Sequence, residues 1–172
     1  MYVRQSILTT LAAVTLAAGS AVAQNSADRM TSGSTFMNKA AQGGIAEVEM
    51  GRLAVQNGAN EAVKNFGQRM IDDHSRANDE LKQLAARKNV TLPTTPDAKE
   101  QAGIDRLGKA QGATFDREYM NMMVNDHKED ISEFEKAART ETDPDVKAFA
   151  NKTLPTLREH LKLAQETLAK VR

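Results

Sequence analysis

"NVTLPTTP", residues 89–96, breaks the pattern of a chain whose folded part reads mainly as long helices. Pro93 and Pro96 each lack a backbone donor, and each pushes the residue before it towards extended backbone. On the N-terminal side of this break lies a long helix from Asn60 to about Lys88. Its apolar face is Val63, Phe66, Met70, His74, Ala77, Leu81 and Leu84, in the three-and-four steps of the helical period. Another helix precedes it, from about Ser34 to Asn57, with Ser34 or Thr35 as cap and Asn57–Gly58 as stop. Beyond the break, Thr95 and Pro96 suit the start of a short helix that ends near Gly108–Gly112. A third long helix follows from about Thr114 to Arg139. The fourth starts at an Asp143 cap with Pro144 in the first position and carries Val146, Ala150, Leu157, Leu161, Ala164, Leu168 and Val171. Pro155 lies inside it and is expected to kink it.

The lengths of the links decide the topology. Short links join the first long helix to the second and the third to the fourth, so each pair is an antiparallel hairpin. About 25 residues separate the second from the third, enough to return along the bundle and make these two parallel. The expected fold is all-α: a ferritin-like four-helix bundle with a long crossover between helices 2 and 3. A plain up-down bundle with a folded loop is the alternative.

Composition bounds the rest. The stretch "ILTTLAAVTLAAG" (residues 7–19) follows a single basic residue, Arg4, and precedes Ala21–Val22–Ala23, a small-x-small site. Residues 1–23 read as a signal peptide, 24–33 as a flexible leader and 34–172 as the bundle. The expected localisation is exported, periplasmic or secreted, with no integral membrane segment after cleavage. Losing Arg4 leaves 22 basic residues against 23 acidic, a balance that provides no footprint for nucleic acid. With no cysteine there is no disulfide, thiolate or lipidation site.

The chain has three histidines, and two of them close near-identical phrases, "MIDDH" (Met70–His74) and "MVNDH" (Met123–His127). Phe66, Met70 and His74 are spaced like Tyr119, Met123 and His127, so each set shares one helical face. His74, His127 and His160 all fall near the midpoints of their helices, and Glu47 does so in the first. One level of the bundle should hold all four, although Glu49 competes with Glu47 for the inward position. Each histidine follows a carboxylate: Asp73, Asp126 and Glu159. Across helices, Asp126 is expected to meet His74, and Asp73 to meet His127, fixing tautomers as outer partners.

Three segments carry a family resemblance: residues 40–81, 115–131 and 146–164, which include both Asp-His motifs. They resemble an exported bacterial "domain of unknown function" family of the ferritin-like group, often provisionally labelled outer membrane protein. The resemblance implies a helical bundle without an established activity. Nothing in the chain alternates like a barrel strand.

The ferritin-like di-iron motif needs a glutamate three residues before a histidine, whereas this chain has Ile71, Val124 and Leu157 there. That argues against di-iron. The candidate metal ligands are His74, His127, His160, Met70, Met123 and Glu47, for copper if the sulfurs take part and for zinc if they do not. Against this stands a scaffold reading, in which a buried His-Asp layer only fixes helix register and the methionines fill core. Ser75 and Ser132 sit in no nucleophile elbow, so no catalytic residue is assigned and the chain reads as a non-enzyme. Mixed-charge faces such as "DHKEDISEFEKAARTE" (126–141) read as solvated helix surface and name no envelope or protein partner.

Overall fold

The computed structural model describes the backbone of residues 18–171 and side chains from Ser32 to Val171. It is all-helical: α1 (Ala18–Asn57), α2 (Glu61–Arg87), α3 (Ala98–Leu107), α4 (Gly112–Thr140) and α5 (Pro144–Lys170). Most of the expected signal peptide lies outside the described residues.

The expected Asp143 cap is present, and Asn60, the expected start of α2, caps that helix. The Asn60 side chain accepts from the Ala62 N–H, and Asp143 accepts from Asp145 and Val146 ahead of Pro144. Other boundaries differ. α1 begins at Ala18 rather than Ser34. A single glycine costs a helix only about 1 kcal/mol, and Gly33 is buried where an added Cβ would lie 3.6 Å from Val146. Asp97 caps α3 by accepting from the Glu100 N–H, so Pro96 stands before the cap and not in the first turn. α4 starts at Gly112, whose φ of +62° suits glycine, and α5 spans Pro144–Lys170 with Pro155 inside it.

Two apolar clusters fix the chain direction. One gathers Met50, Ala54, Val63, Phe66, Phe115, Tyr119, Met123 and Leu168, from the end of α1, the starts of α2 and α4, and the end of α5. The other gathers Phe36, Leu81, Leu84, Phe134, Phe149 and Leu157, from the opposite halves of the same helices. α2 and α4 therefore run the same way, and residues 88–111 carry the chain back along the bundle. α3 rides on that return, with Ile104 and Leu107 in the first cluster. The up-down alternative is excluded. α1 packs on α2 and α4, and α5 packs on α4 and α2, which leaves α2 and α4 on a diagonal.

The first cluster's end is closed by Asp116, which is buried and accepts from the Ala59 and Asn60 N–H groups at 3.0 and 2.9 Å, tying the α1–α2 turn to α4. No helix among the described residues is long and apolar enough to cross a membrane.

Candidate metal centre

Between the two apolar clusters lies a polar layer. Glu47, His74, His127 and His160 are all buried, one from each long helix. The small residues of α1 explain how Glu47 gets there. A Cβ on Gly51 would lie 2.8 Å from the Gly67 carbonyl oxygen, and one on Gly67 would lie 2.6 Å from the Ala54 Cβ. The α1 and α2 backbones cross in contact, and that closeness carries Glu47 onto His74. Glu49 is only half-buried, which resolves the choice between the two glutamates.

The three imidazoles converge as expected. Ring centroids are 5.8 Å apart for His74 and His127, and 5.3 Å for each pair involving His160. One ring nitrogen from each lies within 4.8 Å of those of the other two.

The outer nitrogens find acceptors. His127 Nδ1 lies 2.9 Å from the Met123 carbonyl oxygen. A carbonyl only accepts, so Nδ1 carries the hydrogen and Nε2 is bare in the neutral ring. His160 Nε2 lies 2.8 Å from Asp73 Oδ2. Burial raises the Asp73 pKa, but hydrogen bonds from His160, Arg69 and Arg76 outweigh it and hold the carboxyl below its usual range. Asp73 is therefore an ionised acceptor, which places the hydrogen on His160 Nε2 and leaves Nδ1 bare. His74 Nδ1 meets Glu47 Oε2 at 2.9 Å, leaving Nε2 buried and without a hydrogen-bond partner among the described residues.

His127 Nε2 and His160 Nδ1 then face each other at 3.3 Å, lone pair to lone pair. A proton between them would resolve the contact, but burial opposes it. Burial depresses the pKa of His74 and His127, and it pulls His160 down to about 3, more than Asp73 restores. A metal ion resolves it otherwise. Two nitrogens each about 2.0–2.1 Å from a tetrahedral ion are about 3.3–3.4 Å apart, which matches the observed separation.

The carboxylates are distributed differently from the sequence expectation. Asp126 does not meet His74, nor Asp73 His127, because α2 and α4 lie diagonally. Asp73 reaches across to α5, and Asp126 lies in the field of Glu100 on α3, its pKa raised to about 7 mainly by burial and then by that charge. Glu159 is half-exposed and pairs with Arg69 at 3.0 Å, not with a ring. Glu47 occupies the outer side of two rings, with Oε1 3.4 Å from His127 Nδ1. That makes it a partner of the ligands before it is a ligand. Burial raises its pKa to about 7 against the pull of His127. Met70 and Met123 are fully buried in the first apolar cluster, and Met123 touches the layer through its carbonyl.

Sequence reasoning missed Asp130, three residues beyond His127 in a run read as solvated surface. With Glu47 and His74 it lines an internal cavity of about 20 Å³, room for one water. Burial, then the Glu47 charge, raises its pKa well above the ordinary value.

A model of a domain of unknown function, DUF4142, matches residues 17–167. The chain belongs to that family. No curated protein is similar enough to this DUF4142 chain to count as a relative. Two solved structures share its fold. A DUF305 fragment from Deinococcus radiodurans superposes with a TM-score of 0.70 at 12% identity, covering 80% of this chain and 95% of that one. A DUF305 protein of Streptomyces coelicolor, provisionally described as secreted, gives 0.68 at 14% identity, covering 79% and 91%. At such identities the likeness concerns the DUF4142 bundle's fold alone.

Proposed function

We propose that this protein is an exported, ferritin-like helical bundle that holds one d-block ion, zinc or copper, on His74, His127 and His160. One observation carries the reading: two buried, neutral imidazoles present bare nitrogens to each other at 3.3 Å while their other nitrogens are committed to acceptors. Such an arrangement is repulsive when empty and matched to a cation when filled. Asp73, Glu47 and the Met123 carbonyl orient the rings, as the outer partners of metal-bound histidines do.

Holding the ion fits better than catalysis at it. The adjoining cavity, about 20 Å³, is the size of one water, which suits holding an ion better than turning over an organic substrate. The sequence at residues 1–23 supports export, as does the secreted description of the Streptomyces neighbour. Zinc suits three imidazoles. Copper(I) is favoured by a separate feature: Met70 and Met123 are buried one turn from His74 and His127.

Equilibrium dialysis of the metal-free protein against Zn²⁺, Cu²⁺ and, under reductant, Cu⁺ tests this. One ion per chain, absent in His74→Ala and His127→Ala, is the expected result. No saturable binding, with the same variants only melting lower, would reduce the layer to a register device.

A further inference from the structure

The layer can be approached along two seams of the bundle, and they carry opposite charge. On the α2–α5 side, Asp73 stands over His160, but the guanidiniums of Arg69 and Arg76 both lie on its carboxylate. A cation arriving there meets two fixed positive charges.

The α1–α4 side is built otherwise. Gly43 and Gly44 stand one turn before Glu47. Opposite Gly43 is Asp130 of α4, whose Oδ1 would be 3.8 Å from an added Cβ, and the Asn78 amide of α2 fills the space over Gly44. Asn78 thus occupies room that an α1 side chain would take, and Asp130 stands at contact distance beside it. Both line the small cavity whose floor includes Glu47 and His74. Asp130 is half-buried and lines this cavity. Glu47 is only 3% exposed, and its Oε1 is buried without a hydrogen-bond partner among the described residues. Two lysines beside this seam are both paired: Lys39 with Glu133 at 2.5 Å, and Lys99 of α3, which packs on α1 and α4, with Glu129 at 2.8 Å.

We propose that the ion reaches the histidines through this glycine-lined α1–α4 seam, with Asp130 as the carboxylate that first takes it from water and Glu47 as the next. The proposal rests on the metal reading above and adds to it the route and the transient ligand. Charge agrees with it: a divalent ion on three neutral rings is balanced once it displaces the protons that burial favours on Asp130 and Glu47, which leave to water, while Asp73 is already balanced by its arginines. Ligand exchange along this path passes the ion from one oxygen donor to another before it meets nitrogen. No bond to carbon is made or broken, and no electron moves.

Stopped-flow mixing of the metal-free protein with Co²⁺, followed by ligand-field absorption, reads the uptake rate. Equilibrium titration with Co²⁺ reads capacity. Asp130→Asn, which has no proton to exchange for the ion, should slow uptake at least about tenfold and keep one ion per chain. Gly43→Ala should also slow uptake, because its methyl group fits without a clash yet narrows the seam. Unchanged rates in both variants overturn the route, as does faster uptake in Arg76→Ala with Asp130→Asn silent, which places the path between α2 and α5. A wild-type protein that takes up no Co²⁺ or Zn²⁺ at equilibrium overturns the metal site itself.

Discussion

His127 Nε2 and His160 Nδ1 lie 3.3 Å apart, and neither ring, while neutral, can place a hydrogen between them without giving up its bond to the Met123 carbonyl or to Asp73. The contact links α4 to α5 at the middle of the bundle, where the apolar packing of both ends stops. Its two sides behave differently in the empty and filled protein, and the following expectations separate them.

Replacing one ring removes a ligand but also relieves the lone-pair contact. His160→Ala should lower zinc affinity by more than about 100-fold, since even an outer partner is worth 10–100-fold. Its metal-free melting temperature should fall less than that of a buried apolar truncation such as Leu81→Ala, about 2–5 kcal/mol. Chelator-competition titration and thermal melts with and without Zn²⁺ check both halves.

Asp73 acts through His160 and touches no ion. Asp73→Asn can offer the ring an N–H, which invites the tautomer that puts hydrogen on the inward nitrogen. Zinc affinity should drop about 10–100-fold with stoichiometry retained. Affinity equal to the wild type would remove Asp73 from this role.

Asp126 provides a pH test at a carboxyl that bonds to none of the rings. Burial lifts its folded pKa to about 7, from 3.8 ordinarily. Between these values the folded state holds a proton that the unfolded chain has released. The stability linked to that proton is complete below about pH 4 and lost as pH rises through about 7. Asp126→Asn should therefore raise the melting temperature at pH 8 and change it little at pH 4. A gain confined to acid pH would contradict the assignment.

The α1–α2 crossing leaves no room for growth. Gly67→Ala would press a methyl group to 2.6 Å from the Ala54 Cβ and, across the crossing, near the Gly51 carbonyl oxygen. A loss of about 1–3 kcal/mol in denaturant unfolding is expected, together with weaker zinc binding as Glu47 moves off His74.

Much of this was legible from residue order. The break at 89–96 and the long link that follows it imply parallel α2 and α4, which the two apolar clusters bear out. Helical spacing from the repeated Met-x-x-Asp-His phrase brings the rings to one level. Their carboxylate partners were not legible, because pairing depends on which helices share an edge and not only on height. Asp73 meets α5 because α2 and α4 lie diagonally. Glu47 could not be separated from Glu49 until the small face of α1 was seen as a backbone crossing. Asp130 was hidden in a charged run, although its position one turn after His127 puts both on one side of α4.

A zinc-soaked crystal of the protein, examined by anomalous scattering at the zinc edge, tests the central claim most directly. A single strong peak about 2.0–2.1 Å from His74 Nε2, His127 Nε2 and His160 Nδ1 is the expected result. No peak in the layer, or one bound instead at His74 Nδ1 with Glu47 displaced, would contradict it.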